Sequence, residues 1–461
     1  MKNIFKRVLL IAVGVLLVCV LSSCALSKLF GPKDADALIK KIDKTMDQYS
    51  SYESDMDFEA KIGSGPALTK VYLFTKNVVI NDKNEAYYFY QKMETTAALV
   101  DASGEEKVVS EGEDLIAFDR GNAFYMSQKD DKTVRLYSES TKNDFGAYLE
   151  KSGGNLDTDV LFGGCSKKQM THEKDGTWTL KLGEYSKESM NKIWESLGLD
   201  AVSELTESSN PSLKIKADKE YRMTSCEMHL VISGKEDNES DYDSILEGTF
   251  TFGSFGEAKR VENELSTDAY TKVDNALILP DAVRQLSGWC NLKNGEFSMV
   301  SSQNVKYPGS EVSVTVTDEI KFSTSKEDGF NYSIKEHSTD ASTPDITLKY
   351  SGGTLYTQAG SQMNRQSMDE SQAKQSIRKV LGTVSVDPVF VTSIEDNGNG
   401  VYEIRADGAL DEQYKGVYKE CTYVVRLTFR DDKLVATASE ITLVGNNGTK
   451  IVTRTELTQK N

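Results

Sequence analysis

The stretch Asp55-Met56-Asp57-Phe58-Glu59-Ala60-Lys61-Ile62 alternates strictly between apolar and charged residues. A period of two puts Met56, Phe58, Ala60 and Ile62 on one face of a β-strand and the charges on the other. One face is therefore dry and one wet, which is the pattern of an antiparallel sheet packed on one side only. Upstream the period changes. Leu38, Ile42, Met46 and Tyr49 recur at spacings of four and three, which predicts an amphipathic helix of about four turns.

Downstream, β-rich segments follow at Val71–Phe74, Ala86–Tyr90, Leu115–Phe118, Ala123–Met126 and Val134–Tyr137, and a helical patch at Phe145, Tyr148 and Leu149. Trp178–Leu182 resumes as strand behind the turn pair Asp175-Gly176. A helix is expected at Lys187–Leu197, then strands at Met223–Ile232 and Ile245–Phe252. The remainder reads as a helix over Asp274–Leu286 interrupted at Pro280, strands at Val312–Val316, Glu319–Ser323, Phe330–Ile334, Ile346–Tyr350 and Leu355-Tyr356, a helix at Ser371–Val380, and strands from Val401 onward. Asn399-Gly400 and Asn447-Gly448 are hairpin turns.

The two halves match each other in order. Residues 248–266 can be laid over residues 439–458 with Gly253 on Gly445; working backwards, Cys226 falls on Cys421, Trp178 on Tyr402, Phe162 on Phe390 and Gly121–Tyr125 on Gly352–Tyr356. Two diverged copies of one domain, over residues 35–270 and 271–461, explain this ordering. The expected class is α+β: two tandem related domains, each a curved antiparallel half-barrel sheet covered by helices.

At the N-terminus, Lys2, Lys6 and Arg7 precede an apolar run of 14 residues, Val8–Leu21. That is the length of a secretory signal and short of the roughly 20 residues a spanning helix needs. Leu21-Ser22-Ser23-Cys24 closes it and resembles the lipobox of bacterial lipoproteins. The resemblance implies cleavage of residues 1–23, a diacylglycerol on the Cys24 thiol, residues 24–34 as a lipidated tether, and a place on the outer face of the cell membrane. Several acyl chains hold far better than one, since each buried methylene contributes about 0.8 kcal/mol.

The 461-residue chain carries a net charge of −17, and loss of residues 1–23 with their three cations leaves 438 residues at −20. Such a charge repels nucleic acid and anionic headgroups, so no nucleic-acid partner is expected. After Cys24, the cysteines Cys165, Cys226, Cys290 and Cys421 are too far apart in sequence for a metal cluster. Disulfides within each half, or four buried thiols, satisfy the spacing equally. His172, His229 and His337 stand in no HExxH or nucleophile motif. The acidic run Glu236–Asp243 lacks the glycine of a calcium loop. No catalytic residue, metal site or cofactor is expected.

A lipobox, an N-terminal amphipathic helix and a long antiparallel meander with a helix inserted midway resemble the LolA and LolB carriers, the mycobacterial lipid-binding lipoproteins, and lipoproteins of Firmicutes. The resemblance implies acyl-chain binding between sheet and helices. Tyr88, Tyr90, Phe124, Leu355 and Val424 suit the wall of such a cavity and suit a filled core equally. The function expected is a non-enzymatic, membrane-anchored lipoprotein that binds or carries a lipid or amphiphile. The alternative is an envelope module with filled cores that binds protein or cell-wall glycan.

Overall fold

The computed structural model describes residues 32–46, 48–62, 68–81, 87–101, 103–152, 165–185, 212–235, 241–262, 264–289, 292, 294–325, 329–384, 386–414 and 416–460. The chain divides into two compact units, Met1–Tyr270 and Thr271–Asn461. The first contains α1 (Ala35–Met46), β1 (Ser51–Ile62), β2 (Leu68–Ile80), β3 (Tyr88–Val100), β4 (Glu106–Asp119), β5 (Asn122–Lys129), β6 (Lys132–Glu139), α2 (Lys142–Ser152), β7 (Cys165–His172), β8 (Trp178–Tyr185), β9 (Ser212–Ala217), β10 (Met223–Lys235) and β11 (Asp241–Gly253). The second contains the two-residue β12 (Thr271–Lys272), α3 (Ile278–Trp289), β13 (Asn294–Tyr307), β14 (Ser310–Ser325), β15 (Gly329–Ser338), β16 (Ile346–Ser351), β17 (Thr354–Ala359) and β18 (Gln362–Ser367). It continues with α4 (Glu370–Leu381), β19 (Ser393–Asp396), β20 (Val401–Arg405), α5 (Gly408–Tyr414), β21 (Tyr418–Arg430), β22 (Lys433–Gly445) and β23 (Lys450–Gln459).

The α+β expectation is corrected. About 60% of the described residues are strand and 15% helix, in two large sheets of 12 and 11 strands. A 12-residue helix such as α1 is about 18 Å long and can lie across about four strands spaced 4.8 Å apart. The helices seal local parts of each sheet; they do not cover a half-barrel. Periodicity in the sequence reveals an element's type and not how many strands share its sheet, so a short helix carries the same signal as one that covers a whole layer.

In the first unit the Asp34 side chain caps α1 by accepting from the Ala37 amide at 2.8 Å. Leu38, Ile39 and Ile42 of α1 then bury against Met56 and Phe58 of β1, Leu73 of β2, Leu180 and Leu182 of β8, and Leu213 and Ile215 of β9. Gly248 of β11 is required there, since a Cβ on it would stand 2.5 Å from the Phe58 ring. Further along the sheet, Phe145 of α2 closes the same face against Phe89 and Phe118, at ring distances of 5.4 and 5.1 Å. Tyr88, Tyr90 and Phe124 point the other way, beneath Ala258, Val261, Leu265 and Tyr270. At this end of β3–β5 both faces are thus covered, which is why Tyr88-Phe89-Tyr90 and Ala123–Met126 are continuous apolar runs. The opposite face of β9, β10, β11, β1 and β2 is wet: Lys214–Glu227 at 2.8 Å, His229–Glu247 at 2.8 Å, Lys61–Glu247 at 3.8 Å and Lys70–Glu59 at 3.4 Å run across it.

Leaving β12 aside, the first sheet runs β6-β5-β4-β3-β2-β1-β11-β10-β9-β8-β7 and the second β18-β17-β16-β15-β14-β13-β23-β22-β21-β20-β19. The two orders are the same. Counting from the first residue of β1 and of β13, the register row Ile215, Cys226, Phe250, Met56, Thr75, Met93 corresponds to Leu427, Thr437, Leu457, Met299, Asp318, Glu336. The sequence alignment of the halves is corrected by this. Gly253 ends β11, whose counterpart is β23, whereas Gly445 ends β22; the C-terminal match had slipped by one strand. Alternating strands of similar length align as well one strand out as in place.

Two local expectations also change. Pro280 lies in the first turn of α3, where its missing N–H costs no helical bond, so the helix runs on to Trp289. Val312–Val316 and Glu319–Ser323 are one 16-residue strand, β14. Of the two readings of the cysteines, a Cys165–Cys226 disulfide is ruled out, because the two stand on β7 and β10, three strands or about 14 Å apart, beyond disulfide reach. Cys421 lies on β21, while Cys290 and the expected helix at Lys187–Leu197 lie outside the described residues.

Candidate functional site

Along β14, Val312, Val314, Val316, Asp318, Ile320 and Phe322 share one face of the second sheet. The same face carries Phe297 of β13, whose ring lies 5.3 Å from Trp289 of α3, and Phe330 of β15, with Lys374 of α4 5.8 Å above its ring. We refer to it as the helix-side face. At one end it is closed, with Phe297, Ile320, Leu427 and Leu457 wholly buried.

At the other end it is open. Register places Val305 of β13 beside Val312 of β14 and Ile451 of β23, and Gln303 beside Val314 and Thr453; Ile441 and Leu443 of β22 and Tyr423 of β21 complete the block. Leu443 is buried, Val312 is 54% exposed, and Val305, Val314, Ile441, Ile451 and Tyr423 are half-buried. The reverse face of these strands bears Arg454–Glu440 at 2.6 Å and the Asn304–Glu311 hydrogen bond at 2.5 Å. The open block is therefore an apolar surface facing away from the wet side, of the kind that marks a binding site.

Between the closed end and the open end runs a band of small polar side chains: Ser439, Thr455, Ser301 and Ser338 in one register row, Thr437, Asp318 and Glu336 in the next. The Ser301 hydroxyl donates to Thr455 Oγ1 at 3.5 Å. Asp318 is 6% exposed, and its Oδ1 has no hydrogen-bond partner; Oγ1 of the fully buried Thr437 has none either. Burial, and then the neighbouring Glu336 carboxylate, push the Asp318 carboxyl up from 3.8 to about 6. Thr75, its counterpart in the first sheet, is likewise buried with an unpartnered hydroxyl, but carries no charge.

The residues proposed from sequence fall elsewhere. Cys24 lies outside the described residues. Tyr88, Tyr90 and Phe124 are closed into the first core; Tyr88 Oη accepts from the Val261 amide at 3.1 Å and Tyr90 donates to Glu264. Leu355 and Val424 are half-buried, Val424 on the face away from the open block. The histidines sit in ordinary contacts: His172 stacks on Trp178 at 4.1 Å, while His229 and His337 pair with Glu247 and Asp345 at 2.8 and 2.7 Å. An open groove of about 470 Å³ on the first sheet is lined by the charged Lys181, Lys214, Glu227 and Glu247 together with His229, Leu182, Leu213 and Met228. Among the described residues, no group of three His, Cys, Asp or Glu could hold a metal, and no helix is long and apolar enough to cross a membrane. The signal for the site was present in Val312–Phe322, where an acid occupies an inward position of an otherwise apolar alternation.

No family model matches the chain, and no curated protein matches it either. Among solved structures, a LolA superfamily protein from Nitrosomonas europaea aligns with 40% of this chain and 92% of its own length, at 11% identity and a TM-score of 0.16. Transferrin binding protein B from Haemophilus parasuis aligns with 89% of this chain and 76% of its own, at 9% identity and a TM-score of 0.15. Superpositions this partial establish no common fold, and the functional reading rests on the residues themselves.

Proposed function

We propose that the chain is a membrane-anchored, extracytoplasmic lipoprotein without catalytic activity that binds a lipid or other amphiphile on the helix-side face of the second sheet. One observation carries this reading: an open apolar block, Val305, Val312, Val314, Ile441, Ile451 and Tyr423, borders a band of buried hydroxyls and a buried carboxyl. An acyl chain laid on the block gains about 0.8 kcal/mol for each methylene buried, and the polar end of the molecule meets groups able to hydrogen-bond it. Lipidation at Cys24 holds the protein at the surface where such molecules are found. The two units are read as copies of one domain, of which the second kept or gained the open face.

The first unit favours the second reading, an interaction module. Leu38, Phe58, Met56 and Leu73 are at most 1% exposed, so its α1-covered face is a filled core whose contacts with other molecules must be made from its charged exterior. The deciding experiment is native mass spectrometry, with organic extraction, of the Cys24→Ala chain from its own host. Co-purified amphiphile, lost in Ile441→Glu, supports binding on the second sheet. A clean mass together with no uptake of a fluorescent fatty acid refutes it and leaves the interaction module.

A further inference from the structure

Taking the amphiphile reading of the second sheet as given, the chemistry of the ligand's polar end can be drawn from the charges on the binding face. Register assigns every side chain of β13–β18 and β23 to one face or the other. On the helix-side face of these strands Asp318 and Glu336 are the two charged residues, directly opposite one another on β14 and β15. Lys306, Lys321, Lys335, Lys349, Arg365, Lys450 and Arg454 all fall on the reverse face. Asp318 is flanked by Val316 and Ile320 on its own strand and by Met299 across β13, so Glu336 is the one titratable neighbour in register, and it has the same sign.

A buried carboxylate without a countercharge is costly, and a second acid beside it raises the cost. Oδ1 of Asp318 is an acceptor with no donor among the described residues, and Oγ1 of Thr437, three strands away in the same register row, is a second polar atom without one. We infer that the amphiphile bound here carries a cationic, N–H-bearing head, an ammonium or primary amine, seated on Asp318 with Glu336 beside it, its tail on the open apolar block. The ammonium supplies the missing donor and the missing charge together, and a charge-assisted bond to a desolvated carboxylate is the strong kind. A fatty acid of the same length would instead bring a third negative charge to the pair.

The test is calorimetric titration of the Cys24→Ala chain with dodecylammonium and with dodecanoate, each below its micelle concentration, at pH 7.5 and pH 5. Dodecylammonium is expected to bind at least tenfold more tightly than dodecanoate at pH 7.5, the difference shrinking at pH 5 as Asp318 takes up a proton. Asp318→Asn should abolish the preference. Glu440→Gln, which removes an acid from the reverse face, should leave it intact and so separates the site from general attraction to an acidic protein. Should Asp318→Asn fail to fold, Glu336→Gln carries the test, with a loss of at least threefold. Equal affinity for the two probes, both lost in Ile441→Glu, overturns the cationic head and leaves amphiphile binding standing. Binding of neither probe, or binding indifferent to Ile441→Glu, overturns the amphiphile reading itself.

Discussion

Replacing Asp318 by Asn should stabilise the unliganded protein at neutral pH and lose most of that effect by pH 4. The asparagine keeps the shape of the acid and removes its charge. In the folded chain burial and Glu336 hold the carboxyl near 6, against 3.8 for an ordinary aspartate. At about 1.4 kcal/mol for each tenfold change in proton affinity, that difference is at most about 3 kcal/mol. The folded state is the better proton binder, so the penalty is fully present above about pH 6, shrinks as pH falls from about 6 towards 3.8, and is absent below. This is the opposite of a salt-bridged aspartate, whose contribution is lost on acidification. Urea unfolding of parent and variant from pH 4 to pH 8, followed by circular dichroism, reads it out. With a denaturant dependence of about 2 kcal/mol per molar, the variant's midpoint should rise by up to about 1.5 M at pH 8 and come close to the parent's at pH 4. A variant less stable at pH 8, or a gap that does not close on acidification, would refute the claim that Asp318 is an uncompensated buried charge.

Other outcomes follow from the same structure. Gly248→Ala places a methyl 2.5 Å from the Phe58 ring and should destabilise the first unit by about 1–3 kcal/mol in thermal unfolding, a cost relieved in the Phe58→Leu background. Asp369 caps α4 by accepting from the Gln372 amide at 2.6 Å; Asp369→Ala should cost about 1 kcal/mol, measured by denaturant midpoint, with Asp369→Ser recovering most of it. Cys24→Ala should move the protein from the membrane to the soluble fraction on cell fractionation, and retention at the membrane would count against lipidation.

The alternation of Met56–Ile62, the spacing of Leu38 and Ile42, and the turn pairs at Gly176 and Gly400 were sufficient to place individual strands and helices, because each depends on a period of two or 3.6 within a few residues. Their assembly was not legible in the same way. Which strand lies beside which, and hence that each unit is one wide sheet with β1 next to β11 and β13 next to β23, depends on contacts between residues 144 to 200 positions apart. The slip that put Gly253 on Gly445 came from this: a repeat of similar strands looks the same when shifted by one.

The candidate site shows the same division. The run from Val312 to Phe322 contains its own anomaly, an acid at an inward position, and dividing it into two strands at that acid concealed it. What no reading of the run could supply is its surroundings. Only the register across β13, β14 and β15 brings Asp318 opposite Glu336, keeps every base of those strands on the other face, and leaves Val312 exposed while its counterpart face in the first unit is sealed by α1. A side chain's face is a local property of the backbone, fixed by sequence period. Its neighbours are a property of the sheet, fixed only when the chain folds.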